Sequence, residues 1–333
     1  METEHPRLID TYHRELDYLR ISVTDRCNLR CRYCTPRQGL DKLEHEEILT
    51  YEEIMRVVAL AVKMGVNKIR LTGGEPLVRK GIDNLLPCLT NFSELEDISL
   101  TTNGIYLSDH LEMIKASGIK RINISLDTLN PRTYEYITGF DGFHQVWTAI
   151  HRAADMGFYP IKLNTVVLKD INEKEVVELA TLSKKYPFHI RFIEYMPGGF
   201  VDPDTQLCHV PNSTLKQRIS KSGRLVPVPR VDLDGPTVRF KFEGAPGEIG
   251  FISPLTHHFC DTCNRLRLTA NGRLRPCLFS DWEVDLKTPM REGADDAQLA
   301  RMFIQAAENK PRSHRLASVK STSLSGKMSA IGG

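Results

Sequence analysis

The sequence has no apolar run that approaches the roughly 18–20 residues needed to span a bilayer. Its first twenty residues are polar and charged, so we expect no signal peptide. The net charge is only +2 over 333 residues, which favours neither nucleic acid nor an anionic membrane as a partner. These absences predict a cytoplasmic protein with no membrane or nucleic-acid partner.

Cysteine is also scarce. Eight cysteines in 333 residues are too few for a disulfide framework. Six of them form two groups of three, whereas Cys88 and Cys208 stand alone. Clustered cysteines in a reducing compartment indicate metal binding. Cys88, in the apolar stretch "NLLPCLT", is predicted to be a small core residue.

Six segments rich in β-branched residues are predicted strands, and most are separated by amphipathic helices. They are "YLRISVT", "NKIRLT", "LEDISLT", "IKRINISL", "YPIKLNTVVL" and "HIRFIEYM". Such alternation favours an α/β fold with a parallel sheet. After an N-terminal segment (1–14), we predict a partial (β/α)6 barrel over 15–225, with ligands at the carboxyl ends of its strands. A doubly wound sheet is the alternative.

Polar residues mark predicted helix starts. Thr50 with Glu53 has the spacing of a capping box, and so has Asn172 with Glu175. Ser108 is the predicted cap of a helix that runs to residue 116.

The pattern changes near Val226, where the chain becomes rich in Pro and Gly. We therefore predict a separate C-terminal region over 226–333. Within it, "RLRLT" and "RLRPC" flank Asn271-Gly272, which is a strong β-hairpin signal.

The first cysteine group follows the first predicted strand and has the spacing C-x3-C-x2-C. Cys27, Cys31 and Cys34 could form a buried helical stripe or bind zinc with a distant fourth ligand. Their polar neighbours and their place after a strand favour an iron–sulfur cluster. Three thiolates leave one iron of a four-iron cluster open, and an open position is typical of a reactive centre.

The second group, Cys260, Cys263 and Cys277, has the spacing C-x2-C-x13-C. Because His257 and His258 lie nearby, a Cys3His zinc site is an alternative. Two groups of three cysteines in one chain are harder to explain as structural zinc, so the pair indicates two open-sided centres.

Basic residues alternate along predicted strands. Lys68 and Arg70 share one face of their strand, and Arg265 and Arg267 share one face of theirs. Each alone could be a solvated surface residue. Together at strand ends they suit a phosphorylated ligand, because Arg binds phosphate in a bidentate way and Lys acts as a point charge.

Seven motifs follow one another in a recognisable order. They are "YLRISVTDRCNLRCRYC", "IRLTGGEPLVR", "LTTNG", "INISLDTL", "FIEYMP", "FCDTCNRLRLTANGRLRPCL" and a terminal Gly-Gly. The first two resemble the radical S-adenosylmethionine (SAM) superfamily. Over essentially the whole chain, the set resembles the radical SAM GTP 3′,8-cyclases of molybdenum-cofactor biosynthesis.

The resemblance implies two [4Fe–4S] clusters, one on each cysteine group. It implies SAM contacts at Tyr33, Gly74, Ser125 and Met196. It also implies GTP contacts, with Lys68 and Arg191 the weaker candidates; the full set is Arg20, Lys68, Arg70, Thr101, Lys162, Arg191, Arg265, Leu266 and Arg267. The tail, Gly332-Gly333, would reach the active site and assist SAM cleavage beside Arg20, Arg265 and Arg267.

The family reaction is a radical cyclisation of GTP, classed as a lyase reaction. The resemblance further implies an electron donor of unknown identity, a homodimer, and transfer of product to cyclic pyranopterin monophosphate synthase. Two alternatives remain. One is a radical SAM enzyme that modifies peptides, with the second cluster as an electron relay. The other is a zinc-bearing interaction protein, which leaves GGEP and the basic strands unexplained.

Overall fold

Strands and helices alternate through the first part of the computed structural model, which describes residues 6–35, 41–196, 209–230, 235–314 and 331. The strands are β1 (Tyr18–Ser22), β2 (Lys68–Thr72), β3 (Asp97–Thr102), β4 (Arg121–Ser125), β5 (Ile161–Val167) and β6 (His189–Glu194). The helices are α1 (Tyr51–Lys63), α2 (Ile82–Thr90), α3 (Leu107–Ala116), α4 (Pro131–Thr138), α5 (Phe143–Asp155) and α6 (Val176–Lys185).

Strands β1 to β6 are all parallel and are hydrogen-bonded in chain order. This sequential order agrees with the predicted partial (β/α)6 barrel. A doubly wound sheet would reverse its strand order at a switch point, so that alternative is excluded.

The C-terminal region extends the same sheet at both of its edges. After β6 the chain forms α7 (Asn212–Ser220), β7 (Leu225–Pro227), β8 (Val238–Phe242), β9 (Glu248–Ile252), β10 (Arg265–Leu268), β11 (Arg273–Arg275), β12 (Val284–Asp285), α8 (Lys287–Arg291) and α9 (Asp296–Glu308), of which α7 precedes residue 226. Strand β9 pairs parallel with β6, and β10 pairs parallel with β1. The sheet is thus continuous across residue 226, and a division at that residue stays a prediction.

Alternation along the parallel strands separates an apolar outer face from a polar inner face. In β1, Leu19 and Ile21 are completely buried in the core, whereas Tyr18 and Arg20 line an internal cavity. The same alternation occurs in β2 and β10. Since side chains on a strand point to opposite faces in turn, this pattern directs the basic residues into the barrel.

The hairpin and one helix start agree with the sequence prediction. Strands β10 and β11 pair antiparallel, and Gly272 in the turn between them has φ = +77°, which glycine adopts readily. At α1, Thr50 Oγ1 accepts a hydrogen bond from the Glu53 backbone N–H at 3.2 Å, and the Glu53 carboxylate accepts one from the Thr50 N–H at 2.7 Å.

Two other predicted helix starts are wrong. Helix α3 begins at Leu107, one residue before Ser108, with Tyr106 as its N-cap. Helix α6 begins at Val176, after the predicted Asn172–Glu175 box. The Asn172 amide instead donates to the carbonyls of residues 127 and 166, and the Glu175 carboxylate accepts from the backbone N–H of residue 129. Tertiary hydrogen bonds therefore take the side chains that the local pattern assigned to capping.

The prediction for Cys88 is also wrong, because this cysteine is exposed. It lies on α2 opposite the buried stripe of Leu85, Leu86 and Leu89. Cys208 lies outside the described residues. Among the residues that the structure does describe, no helix is both long and apolar enough to cross a membrane.

Candidate active site

One cavity of about 360 Å³ brings both cysteine groups together. Its wall includes all six grouped cysteines, the GGE turn after β2, and eight Lys or Arg side chains. The cations are Arg20, Lys68, Arg70, Arg121, Lys162, Arg191, Arg265 and Arg267. The cavity is inside the barrel, which is where ligands bind in folds of this kind.

The first cysteine group lies on the loop that follows β1. The Cys34 N–H donates to the Cys31 carbonyl at 2.8 Å, which bends the loop into a turn. Backbone N–H groups of Arg30 and Arg32 donate to α4 carbonyls at 2.9 Å and fix the loop to that helix. The sequence analysis did not predict α4.

The thiols of this loop suit a metal centre that replaces their protons. Burial raises the pKa of Cys27 to about 12 and also raises the pKa values of Cys31 and Cys34. Thiolates at such sites need cationic partners, and iron in a cluster provides them. Each of the three thiolates binds a different iron in a four-iron cluster, so the three sulfur atoms need not converge on one point.

The GGE turn packs directly on the backbone of the cysteine loop. The backbone N–H groups of Gly74 and Glu75 donate to the carbonyls of Thr24 and Arg26, both at 2.8 Å. A Cβ on Gly74 would lie 2.3 Å from the Arg26 carbonyl oxygen, which leaves no space for a side chain. The Glu75 carboxylate accepts from the backbone N–H of residue 103 at 2.6 Å and so links the turn to the loop after β3.

We expect Gly74→Ala to disturb the first centre more than the fold as a whole. The new methyl group must displace backbone between β1 and the cysteines, since the contact is with a carbonyl and not with a flexible side chain. Anaerobic reconstitution should therefore give a lower iron content. Gly157→Ala is a suitable control, because no atom lies within 4 Å of the added Cβ, and its strain comes only from a positive φ that Gly74 does not have. Normal iron content in Gly74→Ala would contradict the prediction.

The predicted SAM residues, Tyr33, Gly74, Ser125 and Met196, all line the cavity. Tyr33 donates its hydroxyl hydrogen bond to Asp127 at 2.8 Å, and Asp127 also accepts from the Val166 N–H at 2.8 Å. Ser125 lies at the end of β4 and Met196 two residues beyond β6. The structure thus gathers residues from several strand ends beside one cysteine loop.

The second cysteine group is assembled by the β10–β11 hairpin. Cys260 begins a short 3-10 turn before β10 and Cys263 follows the turn, and the Cys263 N–H donates to the Cys260 carbonyl at 3.1 Å. Cys277 follows β11 by two residues. Burial would raise the pKa of Cys263, but Arg265 and Lys310 outweigh it and bring the pKa to about 6. Cys263 is therefore ready to bind metal as a thiolate.

Two histidines, His257 and His258, were considered as a fourth ligand for a zinc site at this cysteine group. His257 and His258 do not line the cavity, whereas His314 does. Among the described residues, no three Cys, His, Asp or Glu side chains converge as ligands of one metal ion. The thiolates around a cluster are spread over separate irons, so this spacing is compatible with the predicted centre.

The basic residues form layers across neighbouring strands. Arg20 is in register with Arg70 on one side and with Arg267 on the other. Tyr18, one layer below, is in register with Lys68 and Arg265. Among the described residues, the cavity wall has three acidic residues, Glu75, Asp127 and Glu194, and each accepts backbone hydrogen bonds. Strong positive potential in a partly enclosed space favours a polyanionic ligand.

One substrate residue predicted from the resemblance does not line this cavity. Leu266 is completely buried in the apolar core, since it alternates with Arg265 and Arg267 on β10. Its side chain therefore cannot touch a ligand in the cavity, and only its backbone could. The other predicted contacts that fall within the described residues all line the wall. Gly332 and Gly333 lie outside the described residues.

Further polar residues line the cavity and were missed by sequence reasoning, among them Tyr18, Arg121, Asp127 and Asn164. Strict alternation along β1, β4 and β5 would have identified three of them. The Tyr18 hydroxyl, the Thr101 hydroxyl and the Asn164 amide oxygen are buried without a hydrogen-bond partner among the described residues. Buried polar atoms of this kind are usually satisfied by a ligand or water.

Lys162 should make ligand binding sensitive to pH. Burial, followed by repulsion from Arg191 and Arg121, lowers the pKa of Lys162 to about 6. Above pH 6 the free protein therefore carries a neutral Lys162, and a polyanion that restores its charge must bind together with a proton. We expect affinity for a triphosphate to fall by up to about tenfold per pH unit between pH 7 and 9. Calorimetry in buffers of different ionisation enthalpy should show proton uptake.

Lys162→Gln provides the control for that measurement. The variant should bind the triphosphate more weakly at pH 7. It should also take up fewer protons on binding than the wild-type protein does. Equal proton uptake in both proteins would assign the effect to another group.

Comparison with known proteins agrees with this arrangement. Residues 21–182 match the radical SAM superfamily, and residues 188–316 match the family described as Molybdenum Cofactor Synthesis C. A SAM-bound structure of SuiB from Streptococcus suis is similar in fold, with a TM-score of 0.59 at 17% identity over 84% of this chain and 66% of that one. The chain is thus a member of the radical SAM superfamily.

Curated relatives define the family within that superfamily. The chain is 47% identical to the GTP 3′,8-cyclase of Moorella thermoacetica over 92% of this chain and 95% of that protein. It is 46% identical to the GTP 3′,8-cyclase of Heliobacterium modesticaldum over 93% and 95%. The chain therefore belongs to the GTP 3′,8-cyclase family.

Proposed function

We propose that this protein is a radical SAM lyase that converts GTP to (8S)-3′,8-cyclo-7,8-dihydroguanosine 5′-triphosphate in the first step of molybdenum-cofactor biosynthesis. The family membership supports the reaction. The observation that carries the proposal is the single cavity that joins two cysteine groups through a wall of eight cations.

The two cysteine groups would hold two [4Fe–4S] clusters, and the thiol chemistry described above fits them. Cys27, Cys31 and Cys34 would hold the first cluster and leave one of its irons open to SAM; the chemistry supplied there would be one-electron reductive cleavage of SAM to methionine and a 5′-deoxyadenosyl radical. The chain's own part is to place both ligands. Tyr33 and Ser125 line the SAM side, and Cys260, Cys263 and Cys277 line the side where the guanine base would bind.

The cations between the two groups would bind the triphosphate and thereby fix the ribose. Arg20, Arg70 and Lys162 come from three different strands, so their charges converge on one region. A substrate held at both its base and its phosphates presents C3′ in one orientation, and such positioning is a large part of catalysis. The buried wall also excludes water from the reacting carbon atoms.

A peptide substrate is not favoured by these residues. Among the described residues of the wall, eight cations face three acidic residues, which favours a ligand with several negative charges, and a nucleoside triphosphate has them. We therefore keep GTP as the proposed substrate.

Several finer assignments rest on the family likeness. We propose that the protein works as a homodimer in the cytoplasm and that its product passes to cyclic pyranopterin monophosphate synthase. We also propose that Gly332 and Gly333 assist SAM cleavage beside Arg20, Arg265 and Arg267. An electron donor is required, and its identity is open.

Mass spectrometry of an anaerobic reaction tests the proposal. Reconstituted protein is incubated with SAM and dithionite, with GTP or without nucleotide. We expect 5′-deoxyadenosine that depends on GTP, together with an isomer of GTP. SAM cleavage that does not respond to GTP would reject the substrate, and no cleavage in protein with full iron and sulfide content would reject the activity.

A further inference from the structure

A buried lysine lies behind the second cysteine group and outside the set of cations described above. Lys310 follows α9 by two residues and is only 3% exposed. Its ammonium group donates to the carbonyl of Pro276 at 2.6 Å and to the carbonyl of Arg265 at 2.7 Å. Pro276 directly precedes Cys277, and Arg265 is two residues after Cys263, so Lys310 ties together the backbone that carries two of the three cysteines.

The charge of Lys310 has no carboxylate partner. No Asp or Glu forms an ion pair with it in the part of the chain that the structure describes, and both of its hydrogen-bond acceptors are neutral carbonyls. An unpaired buried ammonium group is costly, because burial removes its hydration. An anion nearby would offset that cost.

Two cysteines of the second group act as opposite charges on Lys310 when they are ionised. Cys263 and Cys277 are the strongest favourable charges acting on Lys310, although burial lowers its pKa overall. The effect is reciprocal, since Lys310 helps to lower the pKa of Cys263. A cluster bound to three thiolates is also negatively charged, so it would continue to balance the ammonium group.

A second cation on the same side differs in this respect. Arg14 donates to the carbonyl of Cys260 at 2.5 Å and to carbonyls of residues 311 and 312 at 2.8 and 3.1 Å. Arg14 is paired with Asp10, however, so its charge is balanced within the protein. Arg14 therefore anchors the C-terminal segment, whereas Lys310 has no carboxylate partner among the described residues and its charge acts on the cysteines of the second group.

Helix α9 determines where Lys310 lies. Its capping box at Asp295 and Gln298 starts the helix, and Leu299 and Phe303 bury one side of it in the main core. The Lys310 N–H then donates to the Ala307 carbonyl at 3.0 Å and continues the helix end. The lysine is thus held by a packed element and not by a surface loop.

We propose that Lys310 is the charge-balancing and positioning residue of the second iron–sulfur centre, which it stabilises in its reduced, more negative state. This inference rests on the proposed function only in assuming a cluster at Cys260, Cys263 and Cys277. A positive charge close to a redox centre raises its reduction potential, because the added electron is attracted to it.

The test isolates the second centre. In a parent protein with Cys27, Cys31 and Cys34 all replaced by alanine, the second cluster is the one that remains to be reconstituted. We would measure its iron and sulfide content, and its reduction potential by a redox titration followed by electron paramagnetic resonance. The same quantities are then measured for Lys310→Gln and Lys310→Arg in the same parent. Circular dichroism reports folding independently.

Lys310→Gln should shift the potential to a more negative value or lose the cluster while its circular dichroism is unchanged. Lys310→Arg keeps the positive charge, so its cluster content and reduction potential should be closer to those of the parent protein. The matched control is Lys115→Gln, because Lys115 also donates to a carbonyl (that of Met156, at 2.9 Å) but is exposed on α3.

Three results would overturn the inference. One is a normal cluster with an unchanged or more positive potential in Lys310→Gln. Another is that both Lys310→Gln and Lys310→Arg lose the cluster and also lose the circular dichroism signal of the folded protein. That result would show that Lys310 is needed for folding alone. A third is a parent that binds no iron and sulfide, and this one would also reject the proposed second cluster. In the first two cases the parent still carries its cluster, so the proposed function survives.

Discussion

Replacing Cys31 by alanine is expected to abolish SAM cleavage and product formation together. Cys31 is one of three thiols on the loop between β1 and α1, and its carbonyl accepts the hydrogen bonds that shape that loop. Two remaining thiolates cannot hold a four-iron cluster firmly, so the site that binds SAM and supplies its electron is lost. No other described cysteine of the first half of the chain faces the cavity except its two partners.

Iron analysis and an anaerobic SAM cleavage assay check this expectation. Iron content should fall by about half, because each of the two cysteine groups would hold one four-iron cluster. Cys88→Ala is the matched control, since Cys88 is exposed on α2 and belongs to neither group. SAM cleavage at the wild-type rate in Cys31→Ala would remove the first group from the mechanism.

Replacing Arg20 by glutamine is expected to weaken GTP binding strongly and to stabilise the free protein. Arg20 lies between Arg70 and Arg267 in the register of the sheet. Burial, followed by repulsion from Arg267 and from Arg70, lowers the pKa of Arg20 well below its usual value. The unliganded cavity therefore holds like charges together, and a triphosphate relieves the repulsion.

The two effects of this substitution have opposite signs. Loss of one buried charge partner costs about 2–5 kcal/mol of binding free energy, which corresponds to a roughly 30- to 4,000-fold increase in Kd for GTP. Removing one of several like charges should raise the Tm of the nucleotide-free protein. Active-site residues often have this trade-off between function and stability.

Equilibrium binding without reductant and thermal melting of the nucleotide-free protein measure both effects. Arg56→Gln is the control, because Arg56 lies on α1, pairs with Asp296 and has a partly exposed side chain. Arg56→Gln should change neither the free energy of GTP binding nor the free energy of unfolding by more than about 0.5 kcal/mol. An unchanged Kd in Arg20→Gln would exclude Arg20 from the triphosphate site.

Local patterns in the sequence predicted several structural features correctly. The capping box at Thr50 and Glu53 forms, because both partners lie within one helical turn. The Asn-Gly turn forms a hairpin for the same reason. Alternation of polar and apolar residues along β2 correctly put Lys68 and Arg70 on one face.

Other predictions failed where distant residues compete for the same groups. Asn172 and Glu175 have the spacing of a capping box, yet both hydrogen-bond with residues around 127–129. Leu266 was assigned to the substrate site together with its neighbours, yet the pleat of β10 turns it into the core. Arg121 and Asn164 were missed, since Arg121 directly precedes the motif "INISLDTL" and Asn164 lies on a strand that contains none of the seven motifs.

The sequence by itself determined the chemistry of this protein, through the spacing of six cysteines, the GGE turn and basic residues at alternate strand positions. The tertiary structure alone decided that these parts form one site. The two cysteine groups are more than 200 positions apart, and the parallel pairing of β10 with β1 brings them to one cavity. Local spacing describes neighbours within a few residues, whereas sheet pairing and burial depend on contacts between distant segments. For the same reason, only the folded chain shows that Lys310 lies behind the second cysteine group with no carboxylate partner among the described residues.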